Sequence, residues 1–238
     1  MASLGLDGKV ILVTGGNKGI GASIVDLLED LGAKVAYTYR SGTGSDKSLA
    51  IQADVRNYDE MTQVAQQVEQ ELGDIYGVVA NAGITKDGLF VKSEKEQWDA
   101  VIETNLTGVY NTVHPVMPKM NEHGAGSIVL ISSIVGEQGN MGQANYAAAK
   151  SGLIGFSKTL ALEGARNNVR CNVIAPGFIE TNMLEGVPDK VKDRIIGTIP
   201  LGRFGEPREI AWATAYLLSP QASYVTGSTL SINGGRYM

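Results

Sequence analysis

Tyr146 and Lys150 stand three alanines apart in the run Gly142-Gln-Ala-Asn-Tyr146-Ala-Ala-Ala-Lys150. Alanine is the strongest helix former, and Ala144 continues that preference upstream of the tyrosine. In a helix, positions i and i+4 lie one turn apart on the same face, so a phenol and an ammonium project together. A lysine close to a tyrosine favours the phenolate and draws its pKa down from about 10. Tyr146 is therefore a candidate acid/base group near neutral pH. With nine Tyr in the chain, a Tyr-x-x-x-Lys match also arises by chance. Its meaning depends on its surroundings.

The elements that must position the pair alternate along the chain. Val10-Ile-Leu-Val-Thr14 is a short β-branched run, the pattern of a strand buried on both faces. Gly15-Gly-Asn-Lys-Gly19-Ile-Gly21 follows, then Ile24, Val25, Leu27, Leu28 and Leu31 at helical spacing, with Gly32 as the stop. Lys34–Tyr39 reads as a second strand, which closes a crossover unit and predicts a parallel sheet. Further strands are expected at Leu49–Val55, Ile75–Ala80, Ser127–Ile131, Val169–Ala175 and Thr229–Ile232. Helices are expected over 58–71, over 93–104 and on through Asn105 and Val109, around Tyr146, and over 206–218, where Pro207 suits the first turn. The stretch Ser41–Ser48 is short and reads as a loop in place of a helix. The expected fold is α/β: one doubly wound Rossmann-type domain over residues 1–238, with a mostly parallel seven-stranded sheet and helices on both faces.

Composition narrows the function. With 238 residues, 43% hydrophobic and 19% charged, the chain can bury a large α/β core, and disorder is not expected. A net charge of -5 and the lack of a Lys/Arg run argue against a nucleic-acid partner. Cys171 is alone, and His114 and His123 lack ligand spacing, so neither a disulfide framework nor a metal site is expected. The N-terminus lacks the pattern of a signal peptide, and no apolar run reaches the ~20 residues that span a bilayer. A cytoplasmic protein without a membrane partner is the expectation.

The glycine-rich loop lies between the first strand and the first helix, where a dinucleotide's pyrophosphate would meet backbone N–H groups at the positive end of a helix. Gly15, Asn17, Lys18, Gly19, Ile20 and Gly21 are its candidate contacts. The spacing departs from G-x-G-x-x-G, and a ligand-free turn is the alternative. The second strand ends in Tyr39-Arg40, with no acid for a ribose 2′-OH. Lys18 and Arg40 beside that position favour NADP(H) over NAD(H), unless both are ordinary solvated charges.

Thr14-Gly-x-x-x-Gly-x-Gly21, Asp54-Val55, Asn81-Ala-Gly83, Asn105, Ser133, Tyr146-x-x-x-Lys150 and Pro176-Gly177 occur in this order along essentially the whole chain. Together they resemble the short-chain dehydrogenase/reductase family. Within it, Asn81-Ala-Gly-Ile-Thr85, Gly142-Gln-Ala-Asn-Tyr146, Ala175-Pro-Gly-Phe-Ile-Glu-Thr181 and Ile232-Asn-Gly-Gly235 look like reductases of 3-oxoacyl thioesters, carried on acyl carrier protein or on CoA. The resemblance implies Tyr146 as general acid, with Lys150 holding the nicotinamide ribose and lowering the tyrosine pKa. It makes Ser133 the carbonyl's hydrogen-bond partner, with Ser132 its structural neighbour. It gives Asn105 the role of bending its helix and anchoring a water toward Lys150; a core-satisfying Asn is the alternative. Asp54 and Val55 would flank the adenine, Asn81 and Gly83 would line the cofactor cleft, and Pro176, Gly177, Ile179 and Thr181 would meet the nicotinamide end. Gln143 and Phe178 are candidates for the substrate pocket, or for surface and packing roles.

Carrier proteins are acidic, and their reductases tend to present arginines at the active-site mouth. Here His123-Gly-Ala-Gly and Arg166-Asn-Asn168 hold a single arginine, which raises the CoA thioester without deciding the matter. A reductase of another small ketone or sugar, and a non-catalytic dinucleotide-binding regulator, are the rival readings. Gly152 and Gly155 on the catalytic helix would let another helix approach, within the monomer or across a homotetramer of the kind frequent in this family.

Overall fold

The computed structural model describes residues 4–42, 44, 48–181 and 188–238. Its central strand is β1 (Val10–Thr14), buried along its whole length. Val10 and Leu12 point into the core on one face, Ile11 and Val13 into the core on the other, as a period of two requires. The other strands are β2 (Lys34–Tyr39), β3 (Leu49–Gln52), β4 (Ile75–Ala80), β5 (Gly126–Ile131), β6 (Val169–Pro176) and β7 (Thr229–Ile232). Among the described residues these seven form one sheet in the order β3-β2-β1-β4-β5-β6-β7. Every pairing is parallel, where a mostly parallel sheet was expected.

Helices cover both faces. One face packs α1 (Gly19–Asp30) and α9 (Pro207–Leu218) through Ile24, Leu27, Leu28, Ile210, Ala215 and Leu218. The other packs α2 (Tyr58–Leu72), α4 (Gly108–Val113) and α7 (Ala144–Gly164) through Met61, Val64, Val68, Val113, Leu153 and Leu160. This is the α/β, Rossmann-like arrangement that alternating elements imply. No helix of the described residues is long and apolar enough to cross a membrane.

The differences from expectation are local. β3 stops at Gln52 instead of Val55, because the Asp54 carboxylate accepts from Arg56 N at 3.0 Å and turns the chain. The charged helix is α3 (Lys95–Ile102), which passes through a π turn at Glu103–Thr107 into α4. Three short helices were not foreseen: α5 (Met117–His123), α6 (Ile134–Gln138) and α8 (Asp189–Ile196). Of the loop expected over Ser41–Ser48, residues 43 and 45–47 lie outside the described residues.

Candidate active site

Connections leave β1 and β4 in opposite directions along the sheet, so a crevice opens at their C-terminal ends, where open α/β sheets bind ligands. Asn81 spans this crevice. Its Nδ2 donates to the Thr14 and Gly15 carbonyls at 2.9 and 3.2 Å, while the N–H groups of Asn81 and Ala82 both donate to Thr14 Oγ1 at 3.1 Å. The Asn81 amide, expected to line the cleft, is engaged in holding the glycine loop. A side chain at Gly21 would strike the Gly15 carbonyl at 2.1 Å, so only glycine allows this turn.

The loop fits a pyrophosphate. Lys18, the N-cap of α1, makes no side-chain capping bond, and the first turn holds no acid. The first N–H groups, at Gly19, Ile20 and Gly21, are then available to an anion at the positive end of a twelve-residue helix. A side chain at Gly19 would lie 3.6 Å from Thr181 Cγ2, so the segment after β6 reaches over the loop. Asn17 Nδ2 donates to the Ser41 carbonyl at 2.8 Å, tying the loop to the end of β2 and bringing exposed Lys18 and Arg40 to one corner. Asp54 forks onto Arg56 at 2.6–3.0 Å, and this bond, with Arg40's charge assisting, holds its carboxyl below the usual range. Val55 is in the core against Gly108, so at the expected adenine site it offers backbone and not side chain. Pro176 ends β6, Gly177 N bonds the Ile232 carbonyl at 2.8 Å, and Ile179 is buried in a bridge with Gly205.

At the other end of the crevice, α7 carries Tyr146 and Lys150 on one face. The phenol faces Ser133, which acts to lower its pKa. Ser133 is the N-cap of α6, and its Oγ accepts from Val135 N at 3.1 Å. Ser132 is instead structural: its buried Oγ donates to the Lys150 carbonyl at 2.8 Å. Lys150 is 3% exposed, and its Nζ donates to the Ile131 carbonyl at 2.7 Å, 5.6 Å from the centre of the Tyr146 ring. Burial draws its pKa down to about 8. The Tyr146 phenol moves the other way from the expected fall. Burial raises it, Ser133 opposes, and the Asp87 charge adds to the rise.

Asn105 sits in the π turn, fully buried. Its Oδ1 accepts from Ile84 N and its Nδ2 donates to the Ile84 carbonyl, both at 2.8 Å, so the side chain satisfies the core while the turn bends the helix. A side chain at Gly83 would stand 3.2 Å from Asn105 Oδ1 and 3.5 Å from Lys150 Nζ, which puts all three at one spot on the crevice floor.

A family model described as Enoyl-(Acyl carrier protein) reductase matches residues 15–236. The chain belongs to the short-chain dehydrogenase/reductase family. It is 53% identical to an acetoacetyl-CoA reductase of Synechocystis sp. over the full length of both chains. An acetoacetyl-CoA reductase of Shinella zoogloeoides is 47% identical over 96% of this chain and 98% of that protein. The 3-oxoacyl-(acyl-carrier-protein) reductase FabG of Vibrio cholerae is 43% identical over 99% of this chain and 100% of that protein.

As a short-chain dehydrogenase/reductase, the chain is an oxidoreductase of a family whose reductases use nicotinamide dinucleotides. The two expected substrate residues part company. Gln143 stays beside Tyr146, its Nε2 donating to Asp87 Oδ2 at 3.0 Å. Phe178 turns to the C-terminal tail, under the Arg236 guanidinium at 4.6 Å and beside Phe204. Two residues of this short-chain dehydrogenase/reductase site escaped the sequence reading. Gly136 lets α6 touch α7, and Asn145 ties the start of α7 to the loop after β4. Asn145 lay in the quoted run, but its role depends on a loop 59 residues away.

Proposed function

We propose that this chain reduces a 3-oxoacyl thioester to the 3-hydroxyacyl thioester with NADPH, acetoacetyl-CoA ahead of the carrier-protein thioester. What carries the reading is the Tyr146 phenol facing Ser133 with buried Lys150 one turn away, at the end of a crevice whose other end is an uncapped helix N-terminus. The names of relatives at 53% and 47% identity support the CoA thioester. Lys18 and Arg40, both exposed and next to the Asn17–Ser41 bond, support a 2′-phosphate and so NADP(H).

Burial keeps Tyr146 in its acid form, ready to protonate the C3 oxygen. Since Ser133 Oγ already accepts from Val135 N, its own proton is free to be donated to the same oxygen. The nicotinamide, once bound, supplies the hydride that C3 accepts. Lys150 would hold the ribose, and Gln143 would border the substrate near Tyr146. We read the functional form as a cytoplasmic homotetramer, each chain one dinucleotide-binding and catalytic domain over residues 1–238.

The test follows NADPH and NADH consumption with acetoacetyl-CoA, then with a 3-oxoacyl carrier-protein thioester. Turnover with NADPH is expected to exceed that with NADH, and acetoacetyl-CoA to be reduced. Tyr146→Phe should bind NADPH as before and lose roughly a hundredfold to ten-thousandfold in turnover. No turnover on either thioester, with NADPH bound, would sink the assignment in favour of another ketone or a regulatory role.

A further inference from the structure

The N-terminus of α7 departs from the usual capping pattern. A helix leaves its first N–H groups without internal partners, and the N-cap side chain ordinarily accepts one of them. Gln143, the N-cap here, makes no such bond. Its side chain reaches outward, accepting from Asn140 Nδ2 at 2.8 Å and donating to Asp87. The N–H of Tyr146 is taken instead by the carboxamide of its neighbour, with Asn145 Oδ1 at 2.7 Å.

That carboxamide is itself held. Asn145 is 6% exposed, and its Nδ2 donates to the Lys86 carbonyl at 3.0 Å and the Gln97 carbonyl at 3.3 Å. Both amide protons and the oxygen therefore have partners, on the loop after β4, on α3 and on the catalytic tyrosine. The same loop is joined to the run before Tyr146 twice more, through Asp87 to Gln143 and through Gly88 N to the Gly142 carbonyl at 2.8 Å. Lys86, Asp87 and Gly88 thus meet Asn145, Gln143 and Gly142 in antiparallel sequence. Further back, Ile84 is bonded to Asn105, and Asn81 to the glycine loop. One strap, residues 81–88, runs from the phosphate loop to the catalytic helix.

We propose that Asn145 is a positioning residue, hanging Tyr146 from this strap so that the proton donor and the cofactor loop share one frame. The proposal rests on the reading of Tyr146 as proton donor. A displacement of about 1 Å at a reacting group costs on the order of a hundredfold in rate, so the device has leverage on turnover while leaving the distant phosphate loop intact.

Two substitutions separate strap from cap. Asn145→Ala removes all three bonds, whereas Asn145→Ser retains an oxygen that can accept from Tyr146 N–H but cannot span to both carbonyls. Both are expected to lower kcat for acetoacetyl-CoA by roughly tenfold or more, with NADPH affinity by fluorescence within about threefold. Phenolate absorbance, differenced against the matching Tyr146→Phe background, gives a readout that does not depend on turnover. In Asn145→Ala the Tyr146 titration should move down toward the ordinary phenol value as the ring leaves its packed seat. An inactive wild type would defeat the thioester reading alone, because the titration still decides the role of Asn145. An unmoved titration overturns the proposal, as does wild-type kcat in Asn145→Ser, or loss of the folded state in both variants, which would make Asn145 a merely structural amide.

Discussion

Burial beside the Ile131 carbonyl draws Lys150 from its ordinary pKa of 10.5 to about 8, and the cause is desolvation of the ammonium. This shift ties stability to pH. Below about 8 the native and unfolded states both carry the charge, and the native state bears the full cost of burying it. Between about 8 and 10.5 the unfolded chain still holds a proton that the native chain has shed. Stability rises with pH wherever the unfolded state binds more protons, so this group's penalty is relieved across that window. In Lys150→Met the penalty is absent at every pH. Urea midpoints of cofactor-free protein should therefore show wild type gaining on Lys150→Met between pH 8 and 10.5 and holding a constant gap from pH 6 to 8. A gap that stays constant throughout would mean that the amine titrates like an exposed lysine. Tyr146, in the same site, is shifted up and so stays protonated over the whole of this range below its ordinary value of 10.

Two helices must touch for Ser133 to meet Tyr146, and Gly136 is what lets them. A Cβ there would come within 2.8 Å of the Lys150 carbonyl carbon and 2.9 Å of Ser132 Oγ. Ser151 Oγ also donates to the Gly136 carbonyl at 2.6 Å, fastening α6 to α7. Gly136→Ala should force the helices apart at a cost of roughly 1–3 kcal/mol, the usual range for overpacking. Because the opened contact carries Ser133, kcat should fall by more than NADPH affinity does; equal losses, or a wild-type melting temperature, would contradict this account. Elements of this kind differ in how legible they are in the chain. The β1–glycine loop–α1 unit and β7 can be read directly, since their burial pattern and stop signals lie within a few adjacent residues. α6 has only five residues, too few for a helical period, and its importance comes from a glycine whose neighbour is 14 positions away. The π turn was foreseen as a bend at Asn105, but its bonds to Ile84 depend on the strap arriving there. Asp54 misled in the same way, because its partner Arg56 closes a local turn that a strand pattern does not reveal.

At the scale of the whole molecule, helices of the described residues cover both faces of the sheet, and the outer side of α7 is open. Ala148, Ser151, Gly155 and Leu162 are exposed along it, Leu162 at 80%, and Tyr110 on neighbouring α4 is 44% exposed. The stripe is small at its middle and apolar at its end, which allows a second helix to approach closely and gives it something to bury. Gly152 is already occupied within the monomer, since a side chain there would meet Leu106 Cδ1 at 3.2 Å. Gly155 is the contrary case: a side chain there meets nothing within 4 Å. The monomer has room for a side chain there, so in the proposed homotetramer the cost of filling it would fall on association and not on folding. In the proposed homotetramer, Gly155→Arg would place bulk and charge where two copies approach. Light scattering is expected to give the mass of four chains for the wild type and a smaller species for Gly155→Arg. The melting temperature at low concentration, where both are dissociated, should change little, as surface substitutions are usually worth within about 0.5 kcal/mol. Since Lys150 is five residues before Gly155 on the same helix, dissociation should also loosen the catalytic face, and the specific activity of Gly155→Arg should be lower than that of the wild type at concentrations where the wild type is assembled. A Gly155→Arg protein that keeps the mass of four chains would move the interface away from α7.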